Sequence, residues 1–277
     1  MTALIPIERM FSLSALEGLR LIRKYSARQP ELKTLDIIPL IESLEVDGAS
    51  FDLEASSYLN TLVDDECPTD GKAFYQECIK AILIKHQPIW SKTMRVGRKR
   101  FVRGLDTNDQ DVFVAAGLMA DPPSADVVTW WDDITGHAKL ISDLEKMKQA
   151  RVAELLTIEY ERIRLKSEGI EREVEWPGLD DNFAGYDVLS YEKSDHGTID
   201  SRMIEVKSTI NSPLRFWVTR NEWKQAEKAD TAYLFHLWDM AKDPPKLHTR
   251  SVADIAPHIP SDNGKGEWFN ATILVDT

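Results

Sequence analysis

At 277 residues the chain is long enough for two domains, and its 43% hydrophobic and 29% charged residues exclude a disordered or fibrous protein. No apolar run approaches the roughly 20 residues a membrane helix needs. The N-terminus lacks the basic-then-apolar pattern of a signal peptide, and Cys67 and Cys78 alone make no disulfide framework, so a reducing cytoplasm is the expected setting. The net charge of −12 argues against a nucleic-acid partner unless basic residues cluster.

Residues 1–135 read mostly as short helices. Ser14-Ala15-Leu16-Glu17 has the form of a capping box, followed by Leu19, Ile22 and Tyr25 at helical spacing, and Pro30 closes the segment. Asp36 is the expected cap of a second helix, and a third covers Leu53 to Leu62. A fourth follows Asp70-Gly71, with Phe74, Cys78, Ala81 and Ile82 on one face and Pro88 as its stop. Lys92, Arg95, Arg98, Lys99, Arg100 and Arg103 then fall within twelve residues that hold no acid. Arg100 to Arg103 reads as a short strand in a basic hairpin, either a solvated surface or a phosphate-contacting element. Asp106 or Thr107 caps the next helix, and the Pro122-Pro123-Ser124 turn starts another, holding Trp130 and Trp131. Helices with a basic hairpin suit a winged-helix-like module for nucleic-acid or partner recognition. The paired tryptophans read better as core anchors than as base-stacking platforms.

From His137 to Gly169 the pattern is one long helix, with residues 136–150 as a connector and Glu154, Glu159 and Glu161 along it. Each of these acids reads, from pattern alone, as solvated surface. Strands are expected over Glu171–Trp176, Gly185–Ser190 and Arg202–Thr209, with an extension at Phe216–Thr219. Thr219 caps a helix through Glu222, Trp223 and Ala226. Strands at Thr231–Trp238 and Trp268–Val275 follow. The strand–helix–strand step implies a crossover and partly parallel pairing. The expected fold is α+β: an N-terminal helical domain over 1–135 and an α/β domain with a mixed sheet over 151–277, its element order that of the restriction-endonuclease-like core.

The candidate site lies in the third strand. Alternation puts Glu205 and Lys207 on one face and Ile204 and Val206 on the other. Asp187 precedes them on a neighbouring strand. Asp, then Glu-x-Lys, is the pattern of PD-(D/E)xK metal-dependent nucleases. Mg²⁺ takes oxygen ligands and usually one or two carboxylates. Asp187 and Glu205 supply those, with the Val206 carbonyl as a third oxygen. Lys207 orients or deprotonates the attacking water, or neutralises developing phosphorane charge. The competing reading is structural: Glu205 paired with Lys207 or Arg202, and Asp187 a strand-end acceptor. The six histidines show no zinc spacing, and no phosphate loop or serine elbow appears.

Glu154-Leu155-Leu156-Thr157-Ile158-Glu159-Tyr160-Glu161-Arg162, Gly185-Tyr186-Asp187-Val188-Leu189-Ser190, Ile204-Glu205-Val206-Lys207-Ser208-Thr209, Phe216 to Trp223, and Tyr233-Leu234-Phe235 together resemble the family named after the C-terminal domain of the plant protein NO VEIN. The resemblance covers roughly residues 150–240. It implies a PD-(D/E)xK-type nuclease, common in bacteria beside restriction and phage-defence genes. It implies Asp187, Glu205 and Lys207 as catalytic residues, with Glu154 on the entering helix joining Asp187 and Glu205 around Mg²⁺ or Mn²⁺. Ala153 stands where the family often has Gly, and Gln225 is a polar helper at most. The functional expectation is a metal-dependent endonuclease acting on DNA in bacterial defence, as a homodimer or with a defence-system partner. The alternative is an inactive nuclease-fold module that binds nucleic acid or a protein.

Overall fold

The computed structural model describes residues 5–181, 184–194 and 196–275. The chain divides into two compact units, Met1–Asp143 and Leu144–Thr277.

In the first unit every regular element among the described residues is helical: α1 (Ile7–Met10), α2 (Leu13–Arg28), α3 (Thr34–Leu44), α4 (Leu53–Leu59), α5 (Gly71–His86), α6 (Arg98–Arg103), α7 (Thr107–Ala115) and the start of α8 (Ala125–Ser167). The cap of α2 is Ser12, whose hydroxyl accepts from the Ala15 amide at 3.2 Å. The expected cap, Ser14, instead ties α2 to the turn before α4: its hydroxyl donates to the Ser50 carbonyl and accepts from the Asp52 amide, both at 2.9 Å. Asp36 lies at the third position of α3, with its carboxylate 3.4 Å from the Lys33 amide, rather than at the cap. Asp106 caps α7.

The expected basic hairpin is absent. Ile89–Val96 is 3-10 helix and Arg98–Arg103 is α6, so the winged-helix-like reading falls. The reason lies in the apolar residues between the charges. Phe101 and Val102 are both buried. Neighbours on a strand would point to opposite faces, whereas a helix turns them about 100° apart and lets both enter one core. There Phe101 meets Phe113 edge-on at 5.0 Å and Trp90 at 6.1 Å between ring centroids. Trp130 is buried in the same core, and its indole N–H donates to the Gln76 carbonyl at 3.1 Å. It is therefore a core anchor. The expected helices around Trp130 and from His137 onward are one helix, α8, which begins in the first unit and ends in the second.

The second unit holds a mixed four-stranded sheet, order β1-β2-β4-β5, and a two-stranded sheet of β3 and β6. The strands are β1 (Val188–Lys193), β2 (Ile199–Thr209), β3 (Arg215–Thr219), β4 (Tyr233–Asp239), β5 (Lys246–Ser251) and β6 (Asn270–Leu274). The short α9 (Pro177–Asp180) precedes β1, α10 (Arg220–Ala229) joins β3 to β4, and α11 (Val252–Ile255) follows β5. β2 runs parallel to β4 and antiparallel to β1, as the strand–helix–strand order requires. Thr219 caps α10 in a reciprocal capping box with Glu222. The expected strand Glu171–Trp176 reduces to one bridge, Glu175 with Leu189. β5 was not foreseen, because Lys246-Leu247-His248-Thr249-Arg250 is an edge strand with little apolar alternation.

The two faces of the main sheet are apolar in different ways. Ile204 and Val206 pack with Val188 and Trp238 against Ala153 and Ile158 of α8. The Trp238 indole donates to Thr157 at 2.8 Å. The opposite face buries Tyr233, Phe235 and Leu237 against Phe216 and Val218 of β3, Trp223 of α10 and Ile273 of β6. Each such ring or aliphatic chain contributes about 2–3 kcal/mol. Alternation along β2 sends Glu205 and Lys207 into this second face, so charged groups enter a region that apolar packing keeps dry.

Candidate functional site

Glu205 is 6% exposed. Its Oε1 accepts from Lys207 Nζ at 2.8 Å, and its Oε2 lies 3.2 Å from the Tyr233 hydroxyl. That hydroxyl is also 2.9 Å from the Gly185 carbonyl, and its one proton serves one acceptor at a time. A proton on Glu205 resolves the conflict: Glu205 then donates to Tyr233, which donates to Gly185. Burial pushes the Glu205 carboxyl up to about 8; Lys207 opposes the rise, and Asp187 and Glu222 add to it.

Lys207 reaches two acids. Its Nζ is 2.8 Å from Glu205 and 2.9 Å from Glu222 Oε2. Burial alone would lower the ammonium's pKa, but these two carboxylates more than offset it and hold it above the ordinary range. Glu222 is half-buried, yet Lys207 and the Thr219 amide, 2.9 Å from Oε2, keep its carboxyl below its usual value. Lys207 thus bridges two acids, and this one cation cannot neutralise both Glu205 and Glu222.

Asp187 stands just before β1. Its amide donates to the Ile204 carbonyl at 3.0 Å, and its Oδ2 accepts from the Val206 amide at 2.7 Å. These bonds hold the carboxylate against the middle of β2. Val206 contributes its N–H to this anchorage. Burial raises Asp187 to about 6; the Val206 N–H opposes this, and Glu154 adds to it. Oδ1 takes no hydrogen bond among the described residues. Gly178 leaves room for it: a Cβ there would lie 2.9 Å from Asp187 Oδ1 and 2.9 Å from its Cα. Gly185 (φ +80°) gives the turn before Asp187, and Gln225 packs against it.

Glu154, 7% exposed on α8, is held at Oε2 by Arg151 Nη1 and by the Trp176 indole, both at 2.6 Å. Glu161 is fully buried, contrary to a surface reading; it takes Arg164 at 2.6 Å and Ser190 at 2.6 Å. Sequence reasoning passed over Glu222 and Tyr233 as site members. The Thr219-Arg220-Asn221-Glu222 capping signature was the available signal for Glu222, since it fixes that acid at the start of α10.

Hard oxygen donors and an excess of acids over cations are what a divalent ion would satisfy. Asp187 offers an open oxygen, and Glu205 is a carboxylate that lacks enough positive charge. Among the described residues no group of three or more His, Cys, Asp and Glu side chains converges as an ion cage. The expected trio of Asp187, Glu205 and Glu154 is therefore not assembled: Glu154 is engaged by Arg151 and Trp176. A Mg²⁺ site with one or two carboxylates fits the donors; a three-carboxylate site does not fit this arrangement.

The basic residues divide by role. Arg98 Nη1 donates to the Leu118 and Ala120 carbonyls, and Lys99 pairs with Asp121 at 2.6 Å. Both serve the fold of the first unit. Lys92, Arg95, Arg100 and Arg103 have exposed side chains.

The fold and site define an α+β unit whose mixed sheet carries a buried acid–lysine cluster on β2, flanked by an aspartate from the turn that leads into β1. Residues 153–250 match the family described as Protein NO VEIN, C-terminal. The match spans about a third of the chain, from α8 into β5. No curated protein and no solved structure matches the chain. Among the described residues no helix is long and apolar enough to cross a membrane.

Proposed function

We propose that the second unit is a divalent-metal-dependent phosphodiester hydrolase of the PD-(D/E)xK type, acting on DNA in bacterial defence. The observation that carries this reading is the Asp187–Glu205–Lys207 cluster: two acids raised by burial, with one lysine between Glu205 and Glu222. Asp187 and Glu205 would hold Mg²⁺ or Mn²⁺, which supplies an activated water and shields the leaving oxygen. Lys207 would then be released from Glu205 while still anchored by Glu222, and so be free to orient water or meet phosphate charge. Tyr233 positions Glu205. Arg95, Arg100 and Arg103 offer exposed positive charge for phosphates in a chain whose net charge is −12.

The test is cleavage of DNA and RNA by the full chain with Mg²⁺ or Mn²⁺. Glu205→Ala and Lys207→Ala are expected to abolish it without unfolding the protein. If the unaltered chain cleaves nothing, the enzyme reading fails for this chain alone. One observation favours a second reading, an inactive binding module: Glu205 and Glu154 are already engaged by Lys207 and Arg151. Nucleic-acid binding without cleavage under every metal condition would select it.

A further inference from the structure

A separate cavity of about 340 Å³ opens where the parallel strands β2 and β4 end. The two strands stay joined to the rim, where the Met240 amide donates to the Thr209 carbonyl at 2.8 Å. In open sheets with helical crossovers, ligands bind beyond the carboxyl ends of parallel strands. The register places Asp239 beside Thr209 on one side and Lys246 on the other, and His248 beside Leu237. By alternation these side chains share the face that carries Glu205 and Lys207. Thr209 follows Lys207 by two residues, about 7 Å along the strand.

Pro213, Leu214 and Ala241 make part of the lining apolar, and its polar groups are incompletely satisfied. Asp239 is 5% exposed; its Oδ1 accepts from the Ala241 amide at 3.0 Å, and its Oδ2 takes nothing among the described residues. His248 Nε2 is buried without a hydrogen-bond partner. Lys242 and Lys246 line the cavity and form no ion pair with any described residue. Asn211 is fixed in place by its bonds to Thr209 Oγ1, at 3.0 and 3.1 Å. Two unpaired cations beside a buried acceptor suit a ligand with an anionic end and a hydrogen-bond-donating end. A bare anion would face the Asp239 carboxylate, and a metal cation would face the lysines.

We propose that this cavity binds a nucleotide, with its phosphate on Lys242 and Lys246 and an N–H or O–H of its base or sugar donated to Asp239. The nucleotide has two sources: a free mononucleotide, or one unit of a nucleic-acid strand that also crosses the Glu205–Lys207 site. The second source rests on the hydrolase reading; the first does not. At about 340 Å³ the cavity sits at the small end of ligand sites.

The experiment is calorimetric titration of the full chain with dAMP, deoxyadenosine, inorganic phosphate and a single-stranded oligonucleotide. It is repeated with Lys242→Glu/Lys246→Glu and with Asp239→Asn. The double variant should weaken dAMP or the oligonucleotide at least about tenfold, the loss expected for charge-assisted bonds. Asp239→Asn should weaken dAMP binding and leave inorganic phosphate unchanged or tighter. Oligonucleotide binding without dAMP binding identifies the strand as the source; dAMP binding identifies the free nucleotide. No binding of either, or affinities unchanged in the double variant with its melting curve intact, overturns the proposal. Glu205→Gln, run alongside, separates the two readings: it should spare dAMP binding whether or not the chain cleaves DNA.

Discussion

Replacing Glu205 by Gln tests the electrostatics of the site without changing its shape. The amide keeps an acceptor for Lys207 and a group for Tyr233 but removes the titrating proton. In the folded chain the Glu205 carboxyl is raised from 4.5 to about 8. A carboxyl raised in this way adds stability that is complete below its unfolded value and disappears as pH climbs through its folded one. Between pH 6 and pH 9 the native chain should therefore lose on the order of 2–3 kcal/mol through this group, at about 1.4 kcal/mol per unit of separation. The proton is shared with Glu222 through Lys207, so the loss belongs to the cluster rather than to one oxygen. Glu205→Gln should flatten this part of the profile. With the amide standing in for the protonated acid, it should already be about 2 kcal/mol more stable than the native chain at pH 6, about 4–5 kcal/mol more stable at pH 9, and inactive at both. Urea unfolding at the two pH values measures the difference. If the native chain loses no more stability than the variant between pH 6 and 9, Glu205 is not a strained acid, and the reasoning about the site is wrong.

Four other outcomes follow from the contacts described above. Arg164→Ala should cost about 3–5 kcal/mol in urea unfolding, because it strands the fully buried Glu161 without its cation. Gly178→Ala should displace Asp187, since the new methyl would lie 2.9 Å from both its carboxylate and its Cα; cleavage should fall on the order of a hundredfold, and the melting temperature should fall too because the Asp187 backbone must shift. Neutralising Arg95, Arg100 and Arg103 together should weaken DNA binding and reduce its salt dependence in an anisotropy titration. Arg98→Ala should instead lower stability, because that guanidinium holds the Leu118 and Ala120 carbonyls; an effect on binding alone would reverse the assignment.

Much of the second unit was legible because its local signals agree with one another. Ile204-Glu205-Val206-Lys207 alternates cleanly, Thr219 and Glu222 form the capping box their spacing announces, and the apolar run at Tyr233 marks a strand buried on both faces. Asp187 was found by motif, but its anchorage on the Val206 amide is a cross-strand contact that no local pattern encodes. Glu161 was misread for a related reason: a charged residue on a long helix is usually solvated, and only the sheet packed against α8 turns this one inward. The basic segment was misread because charge dominated its composition. Phe101 and Val102, adjacent and both apolar, carried the helical signal. Glu154 was placed correctly on its helix, but its capture by Arg151 and the Trp176 indole depends on the turn of chain before α9.

The proposed hydrolase requires Asp187 and Glu205 to form an oxygen site for a divalent ion. Calorimetric titration of the full chain with Mn²⁺ tests it most directly. One ion per chain is expected, with affinity at least about tenfold weaker after Asp187→Asn or Glu205→Gln, since each removes one charged ligand from a small set. Absence of binding, or one Mn²⁺ bound equally well by both variants, would contradict it.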